Sequence, residues 1–230
     1  GISLFSEDTD GNPIFKNAGG HLLRYPLKDF HKVRRITETA DSTIIVSASN
    51  GMVVFKDDNT PLEDVKFFAY KHVPGDPKSL LTSDVMQTLV ASDGTIYVAT
   101  VGGGLQRMRG DNLGEKNTPL VLENISHLVR NCGIVFGLAE DTEGNIWIGC
   151  ENSLNMYDVK RDKVWCYGPE YLGEDTRLAE ALPAYNFQTD AMALATSSGT
   201  VRFKCQKLQE DSFVPSLVFG SVQFHRGQEG

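Results

Sequence analysis

The sequence predicts an all-β protein in which repeated four-stranded antiparallel sheets form the blades of a β-propeller. Three observations favour this fold: a repeat of about 50 residues, turn-forming sequences between short apolar runs, and a near absence of helical periodicity. A period of this length is typical of propeller blades. We expect about five such units along the chain.

The repeat is clearest in two segments of similar order. Residues 85–108 read VMQTLVASDGTIYVATVGGGLQRM, and residues 135–157 read VFGLAEDTEGNIWIGCENSLNMY. Residues 33–55 follow the same plan, and weaker copies lie at residues 185–203 and 2–25. Because Asp-Gly and Glu-Gly-Asn favour tight turns, each unit is predicted as a series of hairpins.

The first apolar residue after each acidic turn sets the period. Ile44, Ile96, Ile146 and Met192 follow one another at intervals of about 50 residues, whereas Ile14 precedes Ile44 by only about 30. The first unit therefore either lacks much of its outer strand or is aligned in the wrong register.

Outer strands complete two of the predicted blades. They read KFFAY at residues 66–70 and KVWCY at residues 163–167, each before a polar connection to the next unit. The inner runs IIVS, IYVA and IWIG are almost continuously apolar, as expected for strands that pack on both faces. Only residues 170–181 have mild helical character, and they lie between two units.

The charge balance makes two classes of main partner less favoured, although a local basic patch stays open. The 22 Lys and Arg residues against 30 Asp and Glu residues give a formal net charge of −8, which argues against nucleic acid or an anionic membrane as the main partner. No apolar run reaches the roughly 18 to 20 residues that span a bilayer. Gly1 in place of Met, and a strand-like run just before the last residues, indicate a piece of a longer protein.

The sequence offers no catalytic motif, metal site or cofactor site. Its histidines are scattered singly, and its four cysteines form no CxxC pair. A glycosidase needs two carboxyl groups roughly 5 to 10 Å apart, and no such pair stands out. The carboxylates of predicted turns are expected to bond the local backbone. One rim is predicted to carry Asp8, Asp10, Asp93, Asp141 and Glu143, and the opposite rim Asp84, Glu151 and Asp190.

Two of the cysteines are expected on one rim of the same hairpin. Cys132 precedes the first strand of its unit and Cys150 ends the second. In an oxidising compartment they would form a disulfide unless the strand register keeps them apart. For Cys166 and Cys205 the simplest role is that of small buried apolar residues.

Polar residues also gather where the connections enter the first strands, around the predicted mouth of the central channel. Arg130 and Asn131 offer fork-like donors there, which suit a hydroxyl-rich or acidic sugar. Further candidate ligand contacts on this rim are Ser83, Asp84, Glu151 and Asn152.

Two segments resemble the two-component-regulator propeller repeat, D-x-x-G-x-[IL]-W-[IV]-[GA]-T-x-x-G-[GL]-L-x-R-[YF]. They are TIYVATVGGGLQRM and DTEGNIWIGCENSLNMYD, and the linker YKHVPGDPKSLLTSDV is similar to the inter-repeat stretch of the same family. The repeat is typical of the periplasmic sensor region of hybrid two-component systems in gut Bacteroidetes. The chain departs from it at Cys150, which replaces a Thr, and at Asn152 and Ser153, which replace Gly-Gly.

The resemblance implies a non-catalytic periplasmic sensor. Its ectodomain would bind an oligosaccharide and signal through an Ig-like domain and a membrane helix to a cytoplasmic histidine kinase. Residues 1–212 would be blades of a larger seven-bladed propeller, and residues 213–230 would lead into the Ig-like β-sandwich. The expected partners are the oligosaccharide, the remaining repeats and the Ig-like domain, and exposed blade faces also favour a homodimer.

Two other classes of function stay open at this point. One is a carbohydrate-active enzyme, a glycosidase or lyase with a five-bladed catalytic propeller. A convergent pair of carboxylates on the channel-facing rim would favour it. The other is a scaffold propeller with protein partners, which an exposed apolar patch would favour.

Overall fold

The structure is a computed structural model that describes residues 1–109, 113–114, 120–129, 132–173 and 176–207. Over these residues seventeen strands form five antiparallel sheets. The α-helical content of the described part is a single turn, α1 (Pro169–Leu172). No helix among these residues is long and apolar enough to cross a membrane. The predicted all-β architecture of propeller blades is confirmed.

Within each sheet the strands follow one another in chain order. The first sheet pairs β1 (Ser3–Glu7) with β2 (Pro13–Asn17). The second contains β3 (Val33–Glu38), β4 (Thr43–Ala48), β5 (Gly51–Lys56) and β6 (Phe68–Tyr70). The third contains β7 (Val85–Val90), β8 (Thr95–Thr100), β9 (Gly104–Arg109) and β10 (Glu123–Asn124). The fourth contains β11 (Val135–Glu140), β12 (Ile146–Cys150), β13 (Leu154–Asp158) and β14 (Lys163–Tyr167). The fifth contains β15 (Ala184–Asn186), β16 (Ala191–Thr196) and β17 (Gly199–Lys204).

The inner strands pack on both faces, as the apolar runs predict. In β8, Ile96 and Val98 join the core shared with the second sheet, whereas Tyr97 and Ala99 join the core shared with the fourth. Successive side chains of a strand point to opposite faces, so one short strand supplies two inter-sheet cores. Along β12 the same alternation sends Trp147 to the core shared with the fifth sheet.

The first strands of neighbouring sheets lie side by side. β3 packs against β7, β7 against β11, and β11 against β15. This is the arrangement around a propeller axis, with the third and fourth strands further out. The outer strands predicted from KFFAY and KVWCY are confirmed as β6 and β14.

Of the two alternatives for the first unit, the second holds: its predicted alignment with the other units is in the wrong register. Strand β2 leads through residues 18–32 into the first strand β3, just as β6 leads through residues 71–84 into β7. Strand β1 has no packing on β3 comparable with that of β3 on β7. β1 and β2 therefore occupy the places of a third and a fourth strand. Ile14 lies in an outer strand, which explains its short distance from Ile44 along the sequence.

The helical character predicted for residues 170–181 is also mostly wrong. Helix α1 stops at Gly173, which has a φ of 104°, a conformation that a regular α-helix does not contain. Of the remaining residues, 174–175 lie outside the described part, and the described ones form a connection to β15. The predicted exit segment, residues 213–230, also lies outside the described residues.

Candidate functional site

The candidate site lies at the end of the sheets where β3, β7 and β11 begin and where β4, β8 and β12 end. We call this end the mouth. In each of these sheets the last residue of the incoming connection accepts a backbone hydrogen bond from the turn after the second strand. The three bonds run from Ser49 to Lys32 at 3.1 Å, from Val101 to Asp84 at 2.8 Å and from Glu151 to Ile134 at 2.9 Å.

Each of these first strands has a β-bulge at the mouth. The register shifts between Val33 and Arg35 in β3, and it shifts at the same position of β7 and β11. A bulge bends the strand and re-aims a side chain. In β7 and β11 the bulged residues are Met86 and Phe136, which pack against the core. In β3 the bulged residue is Arg34. A guanidinium therefore occupies the position that apolar side chains occupy in β7 and β11.

Arg34 binds two carboxylates from different connections. Its Nε and Nη2 atoms each donate to one oxygen of Asp84, both at 3.0 Å. Its Nη1 atom donates to Oε1 of Glu180 at 3.1 Å. Asp84 ends the connection to β7, and Glu180 belongs to the connection to β15. The cluster of Arg34, Asp84 and Glu180 thus joins the second, third and fifth sheets at the mouth.

The two ion pairs differ in exposure. The side chain of Arg34 is 29% exposed and that of Asp84 34%, whereas that of Glu180 is 63% exposed. A bidentate, half-buried pair is fixed in geometry. An ion pair with one exposed partner contributes only about 0 to 1 kcal/mol. Arg34 and Asp84 therefore form the rigid part of the cluster, and Glu180 the exchangeable part.

Sequence reasoning found Asp84 but missed Arg34 and Glu180. Arg34 lies inside a predicted strand, and only the consecutive arginines of VRRI, at the start of an inner strand, could have drawn attention to it. Glu180 lies in the segment expected to be helical and is separated from Arg34 by 146 residues. Contacts over such a distance follow from the packing of the sheets and not from any local pattern.

Of the other predicted contacts, Ser83 has a structural bond. Its hydroxyl oxygen accepts a hydrogen bond from the backbone N–H of His72 at 3.0 Å, which ties together the two ends of the connection from β6 to β7. The hydroxyl proton can still be donated to a ligand. Ser83 and Asp84 therefore reach the mouth with one donor and one charged acceptor group.

Glu151 and Asn152 form a second group at the mouth, next to Gly133. A Cβ atom placed on Gly133 would lie 2.6 Å from Oε2 of Glu151 and 3.5 Å from Nδ2 of Asn152. These side chains therefore cover the connection into β11. The predicted contacts Arg130 and Asn131 belong to the same connection in the sequence and lie outside the described residues.

A disulfide joins Cys132 to Cys150 beside this second group, with the two Cα atoms 5.1 Å apart. The strand register does not keep the two cysteines apart, and the hypothesis of a disulfide agrees with the structure. The bond fixes the connection before β11 to the end of β12. Closing a loop of this length contributes about 3 kcal/mol to stability.

The other two cysteines, Cys166 and Cys205, are not disulfide-bonded. Burial raises the pKa of the Cys205 thiol to about 12, with a smaller contribution from Asp190. A thiol with such a pKa is unreactive at neutral pH. Cys205 therefore has the role of a small buried apolar residue.

The opposite end of the sheets carries the turn carboxylates. Asp93 and Asp141 accept hydrogen bonds from the backbone of their own turns, as expected. The prediction that Asp190 lies at the mouth is wrong. It precedes β16, in the turn that follows β15, and therefore shares the end of Asp93 and Asp141.

A cavity of about 890 Å³ lies away from the mouth, beside the outer strands β9 and β10. Its walls include Leu122 and Val159 together with the ion pair of Arg107 and Glu123, whose closest atoms are 2.7 Å apart. Residues 110–112 and 115–119 belong to the same connection and lie outside the described residues.

The mouth brings charged and polar side chains together. Asp84 and Glu180 both accept hydrogen bonds from the guanidinium of Arg34. Among the described residues no group of three or more His, Cys, Asp or Glu side chains is suited to hold a metal ion.

Comparison with known proteins agrees with the repeat and the fold. The family model of the two-component regulator propeller matches residues 130–152. This segment includes the last residues of the connection into β11, and the strands β11 and β12. No curated protein sequence matches the chain.

Solved structures show the same architecture. The extracellular domain of the hybrid two-component system BT4673 from B. thetaiotaomicron is 19% identical, with a TM-score of 0.54 over 80% of this chain and 21% of that protein. PorZ, a surface component of the type IX secretion system of Porphyromonas gingivalis, is 13% identical, with a TM-score of 0.63 over 87% of this chain and 29% of that protein. The chain thus spans less than a third of either relative. The chain therefore has the fold of β-propeller blades, and its residues 130–152 match the two-component regulator propeller model.

Proposed function

We propose that this chain is a non-catalytic part of the periplasmic sensor region of a hybrid two-component regulator, and that it binds an oligosaccharide at the mouth. The observation that carries the proposal is the cluster of Arg34, Asp84 and Glu180, a half-buried guanidinium fork at the mouth of a repeat typical of such sensors. The fold alone would not support a function, because propellers serve many.

The polar groups of the mouth match a hydroxyl-rich ligand. Arg34 supplies donors, Asp84 and Glu151 supply acceptors, and the Ser83 hydroxyl and the Asn152 amide can do either. In small-molecule sites a few such polar groups fix the orientation of the ligand. We include Arg130 and Asn131 in the proposed site because their connection ends at the mouth.

The compartment and the partners belong to the same proposal. A disulfide between Cys132 and Cys150 is expected to persist in an oxidising environment such as the periplasm. The partners that we propose are the remaining repeats and an Ig-like domain of the same protein. The exposed aromatic pair Phe5 and Phe15 on β1 and β2, 55% and 64% exposed, would favour a homodimer.

Thermal melting with a panel of glycan oligosaccharides tests this function. We expect one class of sugar to raise the melting temperature, and to be recovered intact afterwards. Asp84→Asn and Glu151→Gln should reduce the shift, since both residues lie at the mouth. Asp93→Asn is the matched control, because it changes an equivalent charge at the opposite end. Cleavage of the sugar, or a shift that only the Asp93 variant loses, would contradict the proposal.

A further inference from the structure

Arg34 binds a second carboxylate, that of Glu180, which is largely exposed to solvent. The Glu180 carboxylate receives one hydrogen bond from Nη1 at 3.1 Å, and 63% of its side chain is exposed. The Asp84 carboxylate instead uses both oxygens and is half-buried. The guanidinium therefore has one permanent partner and one partner that water can reach.

The position of Glu180 places this exchangeable contact across the mouth. Arg34 lies at the start of β3, whereas Glu180 belongs to the connection between β14 and β15. Their contact joins the second sheet to the connection that leads into the fifth sheet. A carboxylate that entered the mouth from solvent would meet the same Nη1 atom once Glu180 turned away.

We propose that Glu180 stands in for a ligand carboxylate, and that the saccharide recognised at the mouth is an acidic one. Its uronic-acid carboxylate would replace Glu180 on Nη1 of Arg34. This inference rests on the proposed function, namely saccharide binding at the mouth, and it specifies the chemical class of the ligand.

The exchange replaces one carboxylate on the guanidinium by another, and the displaced Glu180 side chain is already 63% exposed to water. One carboxylate leaves the guanidinium for water, and another takes its place, while the pair of Arg34 and Asp84 stays intact. A neutral sugar hydroxyl in the same place would be a weaker partner, because it lacks the coulombic attraction of a carboxylate to the guanidinium. The site therefore discriminates in favour of an acidic sugar over its neutral counterpart.

Calorimetric titration with oligogalacturonates and with their carboxyl-reduced, neutral counterparts tests the inference. Arg34→Gln removes the guanidinium, and we expect it to weaken binding of the oligogalacturonate by at least about tenfold. Glu180→Ala removes the internal competitor and should strengthen the same binding by about two- to fivefold. Circular dichroism and thermal melting of each variant confirm that it is folded.

Two matched controls separate these effects from changes in overall charge. Arg35→Gln removes the same charge one residue away, from an exposed side chain beyond the bulge. Glu143→Ala removes an exposed acidic group from the turn between β11 and β12, at the opposite end. Both should bind the oligogalacturonate as the unaltered chain does.

The outcomes distinguish the inference from the function on which it rests. Equal binding of acidic and neutral sugars, or unchanged binding in Glu180→Ala, would overturn the inference. A neutral sugar could instead bind at the mouth, with Asp84→Asn and Glu151→Gln weakening its binding. That result would overturn the inference but support the proposed function. Absence of saccharide binding to both the unaltered chain and Glu180→Ala would overturn both.

Discussion

Two hairpins of this protein share nearly the same turn and differ in almost everything else. The turn between β1 and β2 reads EDTDGN, and the turn between β11 and β12 reads EDTEGN. In the first, Oδ1 of Asp8 accepts from the backbone of Asp10 and Asn12, and Oδ2 accepts from the Asn12 amide. In the second, the Asp141 carboxylate accepts the three equivalent bonds, from Glu143 and Asn145.

The strands that follow these turns have opposite environments. After the first turn, Ile14 is 37% exposed in an outer strand. After the second, Trp147 is fully buried between two sheets, and its Nε1–H donates to Oδ2 of Asp141 at 2.7 Å. The turn sequence thus determines the local hydrogen bonds, whereas the residues that follow determine where the hairpin packs. The first turn is self-contained, but the second is part of a core.

Truncating the residue after each turn should show the largest difference. Trp147→Ala removes an indole that stacks on Tyr167, at 6.1 Å between ring centroids, and contacts Phe203. We expect a loss of about 4 kcal/mol in the free energy of unfolding. Ile14→Ala should change it by no more than about 0.5 kcal/mol. Denaturant titration measures both, and equal losses would mean that the hairpins are packed alike.

The disulfide sharpens the comparison, because it fixes only the second hairpin. Replacing Cys132 and Cys150 together by serine should lower the free energy of unfolding by about 3 kcal/mol, since the loop is no longer closed in the unfolded chain. Thiol titration of the unfolded, unreduced protein should find two thiols, from Cys166 and Cys205. Four thiols would show that the bond is not formed.

Removing the turn aspartates should give a smaller difference in the same direction. Asp141→Ala leaves the buried N–H of Trp147 without its acceptor, at an expected cost of about 2 kcal/mol. Asp8→Ala removes only bonds within an exposed turn, so it should lower the melting temperature much less than Asp141→Ala does. A loss in the Asp8 variant as large as that in the Asp141 variant would contradict the account.

The smallest effect is expected at acid pH. The side-chain hydrogen bond from Asn12, helped by backbone N–H groups, lowers the pKa of Asp8 from its ordinary value of 3.8. The stability from Asp8 is thus complete above the unfolded value and is lost as the pH falls through the lowered, folded one. A carboxyl NMR titration should find this pKa below 3.8. In Asn12→Ala it should move back towards the ordinary value, and an unchanged pKa would show that Asn12 is not the cause.

The blades could be predicted from the sequence because their signals are local. The apolar run of Ile146, Trp147 and Ile148 and the turn glycines predict strands and hairpins without knowledge of distant residues. The places of β1 and β2 as outer strands could not be predicted. The turn EDTDGN makes its own backbone hydrogen bonds wherever the hairpin packs. Arg34 and Glu180 also escaped prediction, since a bulge and a contact between distant segments bring them together.

The most direct test of the central claim is a thermal-shift measurement of the unaltered chain, Arg34→Gln and Arg35→Gln with the saccharide that binds best. If the mouth recognises the ligand through Arg34, the unaltered chain and Arg35→Gln should be stabilised equally, and Arg34→Gln should show no shift. The same shift in all three proteins would contradict the claim and place binding elsewhere on the molecule.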